Sequence, residues 1–180
     1  MGDELTPRHR ALASAAVILA ALLYSIDWTI AAVALPHMQG AFSAAPDQIS
    51  WVITSYIVAS AMMIPTAGWL SGRFGRKRVF LTALAGFTIS SFFCGLADSL
   101  AFEVIARAAQ GASGAFIIPL SQAIILDSYP PERHARAMAL WGVGSVLGSV
   151  IGPTIGGYVT EFLSWRYIFY LNVPLGILAW

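Results

Sequence analysis

Long apolar runs separated by short polar turns organise this chain from end to end. Crossing about 30 Å of hydrocarbon takes about 20 apolar residues in a helix. Runs of that kind fall at about 11–35, 49–70, 79–97, 100–125 and 137–159. A sixth starts at Tyr167 and reaches Trp180 after 14 residues, too few to cross. The pattern predicts an all-α polytopic membrane protein: a single bundle over 1–180 with its sixth helix truncated, a fragment of something longer. Arg8 and Arg10 precede the first run as they would precede a signal peptide, but the run outlasts a signal core and contains an acid, Asp27. It reads as span 1.

Composition agrees with a lipid solvent. The chain is 58% hydrophobic and 11% charged, where soluble domains carry about 25% charged residues. A soluble core this apolar would leave large exposed patches. One cysteine, Cys94, rules out an intramolecular disulfide framework and offers no metal cluster. The formal charge of +1 matters less than its distribution. Arg8 and Arg10, then Arg73, Arg76, Lys77 and Arg78, then Arg133 and Arg136 all fall on one side of an up-down serpentine. The opposite loops hold Arg166 beside Asp47, Asp98 and Glu161. Positive loops stay cytoplasmic, which places the N-terminus inside and the spans in the inner (plasma) membrane. Trp51, Trp69 and Trp165 fall near span ends, where amphipathic rings favour the interface.

Two charges remain deep within the apolar runs, with Glu103 nearer an outer end. Asp27 lies about eight residues, roughly 12 Å, from the outer end of span 1. Arg107 lies about seven residues, roughly 10 Å, from the outer end of span 4. Both are therefore at similar depth, and both should face the bundle interior or a wet cavity. A guanidinium keeps its proton, so the carboxyl is the member able to exchange one. A structural ion pair that fixes helix packing is the other reading. Glu103, Arg107, Gln110 and Gly114 form a polar stripe on one helix face, consistent with a lined pathway. Glu103 is also close enough to the outer end to be simply hydrated.

Span 5 carries "GVGSVLGSVIGPTIGG", with Gly144, Gly148, Gly152 and Gly156 repeating every four residues and Pro153 among them. Such a ridge lets helices approach closely, and Pro153 removes a backbone donor and is expected to bend the helix. The ridge serves either plain tight packing or a seam in a rocking bundle. "GWLSGRFGRKR" sets Gly68, Gly72 and Gly75 among four cations in what reads as a short cytoplasmic turn. Positive charge retains that loop inside, while the glycines call for a tight turn or a close approach.

These motifs together resemble the major facilitator superfamily, in its drug:proton antiporter branch with fourteen spans. "IDWTIAAVALP" resembles the span-1 motif, "GWLSGRFGRKR" the signature between spans 2 and 3, and "RAAQG" (107–111) that of span 4. "GSVLGSVIGPTIGG" resembles the antiporter signature of span 5 and "WRYIFYLNVPLG" (165–176) the start of span 6. The resemblance implies an N-terminal six-helix bundle of a transporter whose C-terminal bundle is absent from this chain. It implies that Asp27 couples protons or cationic substrate and that Arg107, with Gln110 beside it, steers proton transfer. It further implies that Gly144, Gly148, Gly152, Pro153 and Gly156 form the exchange helix, and that Gly68, Arg73, Gly75, Arg76 and Lys77 form the cytoplasmic gate. One departure stands out: the family commonly has an aspartate where this chain has Gly72. Asp127 or Glu132 is then expected to supply the counter-charge to Arg73 or Arg76.

The expected function is secondary active transport: export of drug-like or cationic amphipathic small molecules in exchange for protons, by alternating access between two halves. Trp28, Tyr56, Met62 and Met63 are candidates for a forgiving substrate wall. A proton symporter or facilitator for a metabolite keeps the fold and changes the coupling. A truncated bundle serving only as an assembly or interaction subunit is a further alternative. No nucleophile–base arrangement, metal spacing or phosphate loop suggests an enzyme, a metal or another cofactor. The partners expected are a small-molecule substrate, protons and the lipid bilayer, with no nucleic acid. The residues do not specify a periplasmic adaptor protein.

Overall fold

Apolar runs this long have to satisfy their backbone polar groups internally, and helices are how the chain does so. The computed structural model describes residues 7–180; residues 1–6, the start of the expected bundle, lie outside the described residues. Nine α-helices follow one another among the described residues. They are α1 (Pro7–Phe42), α2 (Pro46–Ile49), α3 (Trp51–Met63), α4 (Ala67–Phe74), α5 (Arg76–Leu96), α6 (Leu100–Gly114), α7 (Ile117–Ser128), α8 (His134–Phe162) and α9 (Arg166–Ala179). Five helical stretches are long and apolar enough to cross a membrane: Arg8–Phe42, Pro46–Phe74, Arg76–Leu96, Leu100–Ser128 and Pro131–Phe162.

Local sequence explains the interruptions. A 3-10 turn over Ile64–Thr66 contains Pro65, which cannot donate to the preceding turn. Pro119 likewise follows the break between α6 and α7. By contrast α1 continues through Pro36 and α8 through Pro153 as single helices. α6 begins at a capped end, where the Ser99 hydroxyl oxygen accepts from the Phe102 N–H at 3.3 Å. The "GWLSGRFGRKR" segment is not a turn but helix, glycine, helix: α4 ends and α5 starts on either side of Gly75, at φ +88°. That left-handed φ is why the position is glycine. Gly68 and Gly72 have open space where a side chain would stand, so the expectation of a close approach fails at both.

α1 is the central helix, packed along α8 and also against α7 and α9, while α6 lies between α3 and α5. Two apolar clusters hold the bundle. One gathers Leu23, Leu84, Phe87, Ile117 and Ile125; the other gathers Ile26, Ile30, Met38, Val52, Ile168 and Phe169. The outside is apolar as well: Ile105, Val146, Val150 and Leu178 are all exposed. A surface of that kind fits lipid contact rather than water. Trp51 and Trp69 are exposed near helix ends, but Trp165 is buried, its ring edge-on to Phe42 at 5.3 Å between centroids. Nearness to a span end holds for both places, and in Trp165 the core took the ring.

Candidate functional site

Four helices converge on Asp27. α1 carries the acid, α6 brings Arg107 and Gln110 from adjacent turns of one face, α9 brings Asn172, and α5 backs them with Ser91. All of these side chains are almost entirely out of solvent, Asp27 at 0% exposure and Arg107 at 1%.

The hydrogen bonds close on the carboxylate. Arg107 Nη1 donates to Asp27 Oδ2 at 2.9 Å. Gln110 Nε2 donates to Oδ1 at 2.9 Å and Asn172 Nδ2 to the same oxygen at 2.6 Å. Arg107 is held in turn: Nη1 also donates to Gln110 Oε1 at 2.7 Å, and Nε to the Val52 carbonyl at 3.4 Å. Its guanidinium lies 4.3 Å from the Tyr56 ring centre and 5.7 Å from that of Phe169, a favourable placement for a desolvated cation. Asn172 Nδ2 further donates to Ser91 Oγ at 2.9 Å, and the Ser91 hydroxyl to the Phe169 carbonyl at 3.0 Å.

One negative and one positive charge thus cancel inside the bundle, each with several polar partners. Such a pair tolerates burial only while both members are present; removing one costs about 3–5 kcal/mol because the other is stranded. A proton on Asp27 would take away the charge that Arg107 answers. In this conformation the pair latches α1 to α6.

The structure brings Asp27, Arg107 and Gln110 together as a cluster, and adds two residues that sequence reasoning did not single out. Asn172 was visible as a lone amide in "YIFYLNVPLG", and Ser91 as a hydroxyl in span 3, but neither carried a charge to mark it. Glu103 is also in the interior rather than hydrated at the outer end: it is wholly buried, and neither carboxyl oxygen has a hydrogen-bond partner.

The span-5 residues stand elsewhere, along the α1–α8 contact. A Cβ on Gly148 would lie 2.6 Å from the Leu22 carbonyl oxygen, and one on Gly156 2.6 Å from Ile30 Cγ1. Gly144 abuts Ile18 and Gly152 abuts Thr29 in the same way. Pro153 is exposed, off this seam. Beside the seam, a cavity of about 310 Å³ is lined by Tyr24, Ser25, Trp28, Ile118, Trp141, Ser145 and Ser149. Of the four candidate wall residues, Trp28 belongs to it. Tyr56 is instead buried under Arg107, Met62 is exposed, and Met63 lines a separate groove.

In the loop region Gly68, Arg73, Gly75, Arg76 and Lys77 are all exposed. Arg76 pairs with Asp127 at the end of α7, so the expected counter-charge is present. Arg73 lies over the Phe74 ring at 5.8 Å.

The chain is 43% identical over 166 residues to the multidrug export protein EmrB of Haemophilus influenzae, covering 92% of this chain and 32% of that one. It is 42% identical over 163 residues to the fatty acid resistance protein FarB of Neisseria gonorrhoeae, with 90% and 32% covered. Against EmrB of Escherichia coli K12 the identity is 40% over 162 residues, with 90% and 32% covered. The chain thus spans about a third of the length of these curated relatives. Among solved structures, the proton:xylose symporter XylE superposes with a TM-score of 0.85 at 17% identity, covering 96% of this chain and 43% of that one. A bacterial homologue of the human lysosomal transporter Spinster, inward-facing and occupied, gives 0.82 at 21% identity, with 97% and 44% covered. These two likenesses concern the fold. The sequence profile of the Major Facilitator Superfamily matches residues 17–180; this multi-pass membrane chain, all-α and built around a buried acid–arginine pair, belongs to that superfamily.

Proposed function

We propose that the chain forms the N-terminal bundle, over 1–180, of a proton-driven exporter of drug-like or cationic amphipathic small molecules. It resides in the inner membrane with its N-terminus in the cytoplasm, since the cationic loops fall on one side. The single observation that carries the reading is the Asp27 carboxylate, buried at depth and gripped by Arg107, Gln110 and Asn172. Ionisable groups placed inside a membrane mark ion and substrate pathways. The names of the relatives, two of them multidrug export proteins, favour export over uptake.

The cycle runs as follows. With the cavity open outward, Asp27 takes a proton from outside and its grip on Arg107 weakens. The bundle then rocks against its C-terminal counterpart, the cavity opens inward, and the proton leaves as substrate binds. The cavity beside Trp28 and Trp141 offers aromatic faces and serine hydroxyls to an amphipathic cation. The test is efflux of a fluorescent cationic dye from energised cells expressing the full-length protein, wild type against Asp27→Asn at matched membrane levels. Efflux driven by the proton gradient is expected to fall to that of cells lacking the protein. Unchanged, gradient-driven efflux by Asp27→Asn would remove Asp27 from the coupling.

A further inference from the structure

Glu103 is a second buried acid with no role in the latched pair. It sits in the first turn of α6, one turn outward of Arg107 on the same face. It is fully buried and both its carboxyl oxygens lack a hydrogen-bond partner. Cationic donors are nearby, but none of them bonds Glu103. Arg107 directs Nη1 to Asp27 and Gln110 and Nε to the Val52 carbonyl. Arg166, at the start of α9, directs Nη2 to the Ala97 carbonyl at 2.6 Å. The charged and titratable groups around Glu103 are Asp27 on α1, Cys94 on α5, Arg107 on its own helix and Arg166 on α9, with Tyr56 of α3 beyond Arg107.

An ionised carboxylate in such a place would be desolvated with nothing to replace the water, and a buried acid without partners takes a proton instead. Asp27 is in the opposite condition, with Arg107, Gln110 and Asn172 all donating to its two oxygens. The two acids therefore divide the work in this conformation. We propose that Glu103 is a proton-binding site, occupied while Asp27 is latched, and that it stands between the outer face and the Asp27–Arg107 pair. Its proton comes from water outside. The proton passes from the Glu103 carboxyl to the Asp27 carboxylate and the grip on Arg107 then weakens, leaving Glu103 ionised and Asp27 neutral, so the summed charge of the two acids is unchanged. The transport role rests on the proton-coupled reading above; the protonation of Glu103 does not.

Infrared difference spectroscopy of the full-length protein in lipid tests it, because a protonated carboxylic acid has a carbonyl stretch that a carboxylate lacks. At neutral pH the wild type is expected to show that band, Asp27→Asn to keep it, and Glu103→Gln to lose it. Glu103→Asp retains a carboxyl and is expected to restore the band at a shifted frequency. This variant keeps the test open if Glu103→Gln folds poorly. A band absent from the wild type, or unchanged in Glu103→Gln, overturns the proposal. Dye efflux in the same variants separates the two readings. Gradient-driven efflux by the wild type with no loss in Glu103→Gln overturns the station role alone. Wild-type efflux that ignores the gradient defeats the proton-coupled function and leaves the infrared result to stand by itself.

Discussion

At the scale of single residues, the cluster depends on uncharged amides as much as on charges. Asn172 spans from Asp27 to Ser91 and so ties α1, α5 and α9 at one nitrogen. Asn172→Leu removes that donor, leaving Asp27 Oδ1 with Gln110 alone and Ser91 Oγ with no incoming bond in a dry place, which costs about 1–3 kcal/mol. A lowered melting temperature of the purified full-length protein is the expected reading, with Ser91→Ala causing a smaller drop. Equal stability in Asn172→Leu would mean the amide is idle. The charged members of the site were legible in the sequence because an acid and an arginine inside apolar runs have few explanations, and helix rise put them at one depth. Gln110 followed from its place on the Arg107 face. Asn172 did not, because an amide is unremarkable near a span end until the rotation of α9 is known. Nor could the fate of Glu103 be read, since burial at a helix start depends on neighbours from α1, α5 and α9.

Helices are where the sequence pattern carried furthest. Apolar run lengths were enough to set out the all-α architecture, because hydrocarbon leaves the backbone no other partner than itself. What they left open was helix phase and contact. The four-residue glycine spacing said that some helix comes close, and the fold shows that helix to be α1. The contrast among glycines of α8 makes a clean prediction. Gly148→Leu drives side-chain atoms into the Leu22 carbonyl and should destabilise by on the order of 1–3 kcal/mol, as overpacking does. Gly142→Ala and Gly157→Ala, which meet open space, should leave stability and efflux unchanged. Melting temperatures of the three variants side by side decide it. A harmless Gly148→Leu would show the seam to be loose.

Across the whole molecule, the Arg76–Asp127 pair joins the start of α5 to the end of α7. Both side chains are about half exposed, so the pair adds only about 0.2–1 kcal/mol to stability. The role we propose for it is in the gate rather than in folding. Arg76→Asp and Asp127→Arg are each expected to slow dye efflux at normal protein levels, and the double exchange to restore it. Failure of the double exchange would remove this pair from the gate.

The fastenings of α1 differ in kind on its two sides. Toward α6 and α9 it is held by hydrogen bonds to a single carboxylate. Toward α8 it is held by close packing, its Ile18, Thr29 and Ile30 side chains and its Leu22 carbonyl lying against the four glycines. Two rods joined this way behave as one lever, so in the proposed cycle α8 is expected to travel with α1. In that cycle the wall carrying Trp28 and Trp141 is expected to swing as a single plate, the cavity changing its opening before its shape.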